Sequence, residues 1–263
     1  MMIAEETTVA DDAVPAGSAI LRAVRILEAI ARHDAPPQLS EICRQVELPK
    51  PTVYRILTTL EHAGLIGREP GSKRYTCAER LNELAGETLL RSPSRAARRA
   101  VLEELVEQTG ETCNIAIPYN NAVLLLDRLE AGWQSRTTLG VGSKLPLYAS
   151  ASGKLFLSYL PKRSRERFLR VTPLIPHTQN TLAEPARLSR ELEKVRSDGH
   201  AMDNEEYLAG ISCLAVPVRD ADGRVVAAVS VHAPAARLQS EQVAEFLPLL
   251  RQSADAIAQT IDW

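Results

Sequence analysis

The chain contains 263 residues, a length that suits one large domain or two ordinary ones. Charged residues interrupt its apolar runs before they reach the roughly 18 residues that a membrane-spanning helix requires, and the first residues are acidic, without a hydrophobic leader. The four cysteines lie far apart without a C-x-x-C pair, which argues against a zinc finger or a disulfide framework. We therefore expect a cytoplasmic protein with free thiols, no cofactor and no membrane partner.

Charge is unevenly distributed along the chain, although the formal net charge is only −2. Residues 1–16 contain four acidic residues and no basic ones, whereas residues 17–78 contain nine Lys or Arg and six Asp or Glu. An acidic segment with few apolar residues has little to bury, so residues 1–17 are predicted to form a disordered tail. The basic excess makes residues 18–78 the candidate nucleic-acid-binding domain.

Within residues 18–78 the sequence predicts three short helices and a hairpin. Apolar residues recur at helical spacing over 18–33, a second helix is predicted at SEICRQV with Ser40 as its cap, and a third is predicted over 51–62. The sequences LIGRE and KRYTC then read as two short strands on either side of a Pro-Gly turn. This order of elements is typical of a winged helix-turn-helix.

The third helix has an apolar face and a polar face. Val53, Ile56, Leu57 and Leu60 recur at helical spacing and are predicted to pack on the other two helices. The opposite side carries threonines, a tyrosine and an arginine, most of them near its N-terminal half. A helix that enters the major groove of DNA contacts base edges with such side chains in that position.

Two further features favour DNA binding over a polar face that is merely solvated. Lys50 occupies the predicted N-cap, where it forfeits on the order of 1 kcal/mol relative to serine or aspartate, and a phosphate there would accept both its ammonium group and free helix amides. The hairpin carries a second group of basic residues. The predicted DNA contacts are Ser40, Lys50, Thr52, Tyr54, Arg55, Thr59, Arg68, Lys73 and Arg74.

Residues 79–95 are predicted to form a connecting helix. Its apolar residues share one helical face: Leu81, Leu84, Ala85 and Leu89. Since the first domain offers no partner for this face, we expect it to pair with a second copy of the chain. Residues 96–263 combine helices and strands without a repeated βαβ order, which indicates an α+β domain built on an antiparallel sheet flanked by helices.

The stretch LSEICRQVELPKPTVYRILTTLEHAGLI, with PGSKRY in the hairpin, resembles the IclR family of bacterial transcription regulators. Residues 199–220, GHAMDNEEYLAGISCLAVPVRD, are similar to the family's C-terminal signature, and LPLYASASGKLFLSYLP at 145–161 is similar to its middle segment. The resemblance implies a GAF-like effector-binding domain after the winged helix-turn-helix, in a homodimer or a dimer of dimers. It also implies binding to double-stranded operator DNA under the control of a small metabolite, often an organic acid.

The sequence departs from the family pattern at two positions. Glu47 lies where the family usually has glycine in the turn between two helices. If that residue has a positive φ angle, glutamate adds strain of about 1 kcal/mol. Arg219 replaces the aromatic residue or histidine that is usual in the C-terminal signature. Neither departure changes the expected fold.

The apolar stretches ISCLAVPVR and RVVAAVSVH are separated by Asp220-Ala221-Asp222-Gly223, and Asp-Gly is a strong signal for a two-residue hairpin turn. A turn centred on Asp222 and Gly223 pairs residues whose numbers sum to 445. Cys213 then lies opposite His232, and Ala215 lies opposite Ser230. Because side chains alternate along a strand, these residues share one face of the sheet.

The family resemblance implies an effector pocket at matching positions of this chain. The implied pocket residues are Ala151, Ser152, Gly153, Asp203, Cys213, Ser230 and His232. Free amides at the start of the helix that follows Ser150 are expected to hold a carboxylate without an arginine. His232 stands where the family more often has serine, so we expect it to help select the effector, by hydrogen bonding or by charge.

Two alternatives use the same residues. Asp203, Cys213 and His232 are all metal-ligand types, which makes a metal-responsive regulator the second hypothesis. A hydrolase could be assembled from Ser230 or Ser150 with His232 and Asp203. The hydrolase is disfavoured because there is no G-x-S-x-G motif and because a serine and a histidine two residues apart on one strand are poorly placed for proton transfer.

Overall fold

A computed structural model of the protein describes residues 18–33, 35–69, 71–91, 94–132 and 139–260. The tail predicted for residues 1–17 lies outside the described residues. The chain divides into two compact units, with the boundary between Leu81 and Asn82. The predicted connecting segment, residues 79–95, therefore spans this boundary. No helix among the described residues is long and apolar enough to cross a membrane.

The N-terminal unit contains three helices and a two-stranded hairpin, as the sequence predicts. The elements are α1 (Ala19–Ala31), α2 (Leu39–Val46), α3 (Lys50–His62), β1 (Ile66–Arg68) and β2 (Tyr75–Cys77). The two strands are antiparallel, with Ile66 opposite Cys77. Apolar residues from all three helices and the hairpin form a single core that includes Ile26, Ile42 and Leu57. Burial of this core holds α3 against the other two helices and leaves its polar face outward.

The caps predicted for α2 and α3 are wrong. Helix α2 begins after Gln38, whose N–H donates to the Glu41 carboxylate at 2.6 Å, and Ser40 is an exposed residue of the first turn. The Glu41 carboxylate thus accepts the N–H of the N-cap residue, which is the reciprocal half of a capping box. Helix α3 has Pro49 as its N-cap, and Lys50 is its first helical residue. Proline is suited to this end of a helix because an N–H there has no partner in the helix.

Glu47 has a positive φ angle, which is the left-handed conformation that favours the glycine usual at this position in the family. It ends α2 with φ 54° and ψ 37°, and its side chain is exposed. A residue with a Cβ atom is strained in this region by about 1 kcal/mol relative to glycine. The reason for glutamate at this position is not explained by any contact within the described residues.

The C-terminal unit is an α+β domain on a six-stranded antiparallel sheet with strand order β5-β4-β3-β8-β7-β6. Its strands are β3 (Thr112–Tyr119), β4 (Ala122–Leu129), β5 (Lys144–Pro146), β6 (Ala201–Asn204), β7 (Ile211–Arg219) and β8 (Val225–Pro234). Its helices are α5 (Arg95–Thr109), α6 (Ala151–Tyr159), α7 (Lys162–Val171), α8 (Pro185–Asp198) and α9 (Ser240–Ala258). Helices α5 and α9 pack on one face of the sheet, and α6 and α8 contribute to the apolar cluster on the other.

Part of the connecting helix α4 (Glu79–Leu90) packs within the chain, whereas its apolar face was predicted to pair with a second copy. Leu89 packs against the core that α5 and α9 share with the sheet. Gly86 is buried against the ring of Tyr119, which a Cβ atom at that position would approach to 3.0 Å. The absence of a side chain at Gly86 lets the helix approach the sheet closely. Leu84 stays exposed at 59% of its surface.

Candidate DNA-binding surface and effector pocket

The outward face of α3 carries the predicted base-contacting side chains. The Arg55 side chain is exposed and has no hydrogen-bond or ion-pair partner among the described residues, and Tyr54 is 52% exposed. Thr59 is also exposed, but its hydroxyl donates to the Arg55 carbonyl at 3.1 Å. Thr52 is half-buried at the edge of the face. The side chain best placed to bind a base edge on this face is therefore Arg55.

The start of α3 offers fewer free amides than expected. Thr52 and Val53 both donate their N–H groups to the Pro49 carbonyl, and Pro51 has no N–H. Lys50 therefore has the one backbone amide of residues 50–53 that is without an acceptor in the described structure. The side chain of Lys50 is exposed as well, so its ammonium group is accessible to the same ligand. A phosphate bound there would accept one backbone amide and the ammonium, not several amides.

Two of the three predicted wing contacts are engaged within the domain. Arg68 donates two hydrogen bonds, of 3.0 and 3.2 Å, to the Glu61 carboxylate. Arg74 donates to the Pro36 carbonyl at 2.7 Å and lies 3.6 Å from Glu41. These contacts attach the wing to α3 and α2, a role that the sequence analysis did not assign to either arginine. Lys73 is exposed and has no ion pair within the described part of the chain.

The predicted register of β7 and β8 is confirmed, although the turn that joins them is longer than predicted. Cys213 lies opposite His232, and Ala215 lies opposite Ser230. The loop occupies 220–224, and the register shifts by one residue between Val218 and the end of β7. This bulge compensates for the longer loop, so the residues at the pocket keep the pairing that a two-residue turn would give.

Pairing across the sheet places the predicted pocket side chains in two neighbouring rows on the α6 face. One row contains Asp203, Cys213, His232 and Thr112 on four successive strands. The other row contains Ala201, Ala215, Ser230, Asn114 and Arg128 on five successive strands. The structure thus brings together Asp203, Cys213, Ser230 and His232, all of them buried.

The N-terminus of α6 lies over this face, in the same apolar cluster as Cys213 and Ala215. Its N-cap Ser150 accepts the Gly153 N–H at 3.3 Å and donates to the Pro146 carbonyl at 2.7 Å. The N–H groups of Ala151 and Ser152 have no acceptor among the described residues.

Gly153 itself serves packing, because a Cβ atom there would overlap the backbone of Leu147. Of the three predicted residues at the start of α6, Ala151 and Ser152 are therefore the ones that can donate to a ligand. Gly153 sets how closely the helix approaches the segment before it.

Arg128 and Asn114 were missed by the sequence analysis, which expected a pocket without an arginine. The Arg128 side chain is 3% exposed, and its Nη1 donates to Asn114 Oδ1 at 2.8 Å. Asn114 lies directly opposite Ser230. The alternation of side chains in β3 and β4 is visible in the sequence, but the pairing of β3 with β8 joins distant segments and has no local signal.

Burial fixes the protonation states in the pocket. Burial, aided by the nearby Glu206 charge, raises the pKa of Asp203 to about 7. Burial and the positive charge of Arg128 lower the pKa of His232 to about 4. The pKa of the Cys213 thiol is raised, mainly by burial. At neutral pH the histidine is therefore uncharged, the cysteine is a thiol and Asp203 is partly protonated.

The metal and hydrolase alternatives lack the geometry they need. No group of three His, Cys, Asp or Glu side chains in the described structure is placed to hold a metal ion. Asp203 instead accepts the Glu206 N–H through Oδ1 at 2.7 Å. Ser150 is occupied as a helix cap, so it is not an activated nucleophile.

Family models decide the class of the protein. The model of the bacterial transcriptional regulator IclR C-terminal domain matches residues 87–259. The model of the IclR helix-turn-helix domain matches residues 19–70. The chain belongs to the IclR family. It is thus an IclR-type transcriptional regulator, with a helix-turn-helix domain that binds operator DNA and a C-terminal effector domain.

Relatives in the IclR family are similar over nearly the whole chain. The Cupriavidus necator protein named "Probable transcriptional regulator SauR" is 40% identical over 243 residues, covering 92% of this chain and 96% of the relative. The transcriptional repressor IclR of Escherichia coli is 29% identical over 241 residues, covering 90% and 88%. These relatives are regulators of transcription, so the IclR-family chain is not an enzyme and the hydrolase hypothesis is wrong.

Solved structures of the IclR family share the fold. The Thermotoga maritima IclR has a TM-score of 0.63 and 30% identity, covering 93% of this chain and 98% of that one. An IclR homolog from Microbacterium hydrocarbonoxydans, complexed with 4-hydroxybenzoate, has a TM-score of 0.59 and 28% identity, covering 92% and 98%. The predicted fold class, a winged helix-turn-helix followed by an α+β effector domain, is confirmed.

Proposed function

We propose that the effector is a small carboxylic acid whose carboxylate accepts hydrogen bonds from the N–H groups of Ala151 and Ser152. The observation that carries this proposal is the pair of unpaired amides at the N-terminus of α6, over a face lined by buried polar side chains. Unpaired amides and the helix dipole both favour an anion at that position. The 4-hydroxybenzoate bound by the Microbacterium hydrocarbonoxydans relative is itself a carboxylic acid, which supports the same class of ligand.

Around this carboxylate, we assign complementary roles to the predicted side chains. The protonated form of Asp203 donates a hydrogen bond to the anion, and neutral His232 and the Ser230 hydroxyl do the same. Cys213 contributes a small, uncharged surface between Asp203 and His232. Hydrogen bonding, not charge, is then the means by which His232 selects the effector, because its pKa of about 4 keeps it neutral at physiological pH.

A thermal-shift screen tests the carboxylate site. Small aliphatic and aromatic carboxylic acids should raise the melting temperature of the effector domain, because a ligand that binds only the folded state stabilises it. The variant Ala151→Pro should lose this shift: proline removes the N–H at the first helical position, where its φ angle is tolerated. The melting temperature without ligand serves as the folding control. An undiminished shift in Ala151→Pro would show that the α6 amides do not bind the acid.

We further propose that the winged helix contacts operator DNA with the outward face of α3 and with the wing. In this assignment Arg55, Tyr54, Thr52 and Thr59 face the bases. Lys50 and Lys73 bind phosphates, and Arg68 and Arg74 position the wing through their contacts with the domain. The DNA-binding form is a homodimer or a dimer of dimers, and the exposed side of α4 around Leu84 contributes to the contact between copies.

Substitution of Arg55 and Lys73 should separate base contacts from phosphate contacts. Arg55→Ala should weaken operator binding by about 1 to 3 kcal/mol and relax the sequence preference, since a lost base contact affects the specific site most. Lys73→Ala should weaken binding to all sequences and reduce the slope of log affinity against log salt by about one. Fluorescence anisotropy with operator and scrambled duplexes measures both. Parent-like affinity in both variants would rule out the assigned contacts.

A further inference from the structure

A buried hydrogen-bond donor lies on the pocket face beyond Ser230. Asn114 is 1% exposed, its Oδ1 accepts from Arg128, and its Nδ2 has no hydrogen-bond partner in the part of the chain that the structure describes. A buried donor without an acceptor destabilises the fold, and buried polar groups in proteins are nearly always satisfied. Because Asn114 pairs with Ser230 on the sheet, its side chain lies beside the pocket residues. An acceptor delivered by a ligand would satisfy this amide.

The Arg128 guanidinium next to Asn114 also has unused donors. An arginine has five N–H donors, and the bonds of Arg128 to Asn114 Oδ1 and to Glu130 use two of them within the described residues. The Glu130 side chain is 60% exposed, so solvent screens its ion pair with the Arg128 Nε. The positive charge of Arg128 acts inside the pocket, since it contributes to the lowered pKa of His232.

These donors form a site separate from the amides of α6. Helix α6 packs chiefly over β6, β7 and β8, whereas Asn114 and Arg128 lie on β3 and β4. Neighbouring strands are about 4.8 Å apart, so Asn114 on β3 lies about two strand spacings from β7, the strand on which α6 packs most closely. The pocket therefore has two donor-rich ends on one face of the sheet.

We propose that Asn114 and Arg128 bind a second anionic group of the effector, so that the effector is a dianionic acid with one charged group at each end. The inference rests on the proposed carboxylate effector and specifies its class. A second anion fits this end better than a hydroxyl group because Asn114 Oδ1 is already occupied by Arg128. The free groups there are all donors, and a hydroxyl proton would find no acceptor in the pair.

Calorimetric titration with matched acids tests the proposal. The probes are butyrate with succinate, propionate with malonate, and 4-methylbenzoate with terephthalate, where each pair differs in one terminal group. The parent protein should bind at least one diacid roughly tenfold or more tightly than its monoacid, because a charge-assisted arginine contact is lost in the monoacid. Arg128→Gln should remove the preference by weakening the diacid while leaving monoacid affinity near the parent value.

Two further variants keep the test decisive. Asn114→Asp preserves the size of the side chain but places a carboxylate beside Arg128, so it should abolish the diacid preference even if Arg128→Gln fails to fold. Glu130→Gln changes the exposed partner of Arg128 and should retain the preference. Equal binding of both members of every pair, or equal weakening of both by Arg128→Gln, overturns the second site but not the carboxylate effector. Failure of every acid to bind overturns both.

Discussion

Replacement of Arg98 by alanine should destabilise the C-terminal unit by about 3 to 5 kcal/mol. Arg98 is fully buried, and its Nε donates to Asp127 Oδ2 at 2.6 Å while its Nη2 donates to the Leu89 carbonyl at 3.2 Å. It thereby joins α5 to strand β4 and to the C-terminal end of α4. Asp127 is 4% exposed, and without Arg98 its carboxylate keeps only the longer contact with Arg95. The cavity left by the large Arg98 side chain adds to the loss of stability.

Arg95 provides a matched control for this prediction. It donates to the other oxygen of the same carboxylate, Asp127 Oδ1, at 3.2 Å, but its side chain is 50% exposed. Since solvent screens such a pair, Arg95→Ala should cost no more than about 1 kcal/mol.

Hydrogen exchange resolved by peptide, with urea as denaturant, would measure the free energy of opening in each unit. Peptides of α3 should be unchanged in both variants, because the N-terminal unit has its own core. Equal effects of Arg95→Ala and Arg98→Ala would show that burial does not distinguish the two ion pairs.

The parts of this fold that follow from local patterns were predictable. Helix α3 and its outward face follow from apolar spacing, and the pairing of Cys213 with His232 follows from the Asp-Gly turn and side-chain alternation. The pairing survived a wrong turn length because a bulge in the hairpin restored the register. Local signals therefore predict that the pocket side chains of β7 and β8 share one face of the sheet, whatever the order of the other strands.

The remaining features depend on contacts between distant segments. The place of Asn114 in the pocket requires β3 to pair with β8, and the sequence carries no local signal for that choice. Wing residues Arg68 and Arg74 looked like DNA contacts because their partners, Glu61 and Glu41, lie on other elements. Helix α7 was not predicted, since its sequence is strongly charged and Phe168 is its one buried residue.

The protonation of Asp203 has consequences for the proposed effector. Asp203 is 5% exposed on the pocket face, and its pKa of about 7 reflects burial first and the charge of Glu206 second. The N–H of Glu206 and the ammonium of Lys154, which forms an ion pair with Glu206, oppose the shift only in part. Protonated Asp203 donates to an anion, whereas ionised Asp203 repels it. Binding of an acid should therefore be coupled to the uptake of a proton by this carboxyl group.

The affinity for a carboxylic acid should fall as pH rises through 7. If only the protonated form of Asp203 binds the anion, affinity is constant well below pH 7 and decreases about tenfold per pH unit above it. His232 stays neutral over this range because its pKa is about 4, and the raised pKa of Cys213 keeps it a thiol, so neither accounts for the change. Calorimetric titration of the tightest-binding acid between pH 6 and 9 measures the slope.

Asp203→Asn separates this mechanism from other sources of pH dependence. Asparagine has nearly the same shape, keeps a donor for the anion and does not ionise, so its affinity should be flat from pH 6 to 9. The fold should tolerate the change, because the amide oxygen can still accept the Glu206 N–H.

The raised pKa of Asp203 also means that its ionised form opposes folding. The contribution of Asp203 to stability is greatest below its unfolded pKa near 4 and is lost as pH rises to about 7. Asp203→Asn should remove that loss, and a pH slope retained in the variant would place the titrating group elsewhere.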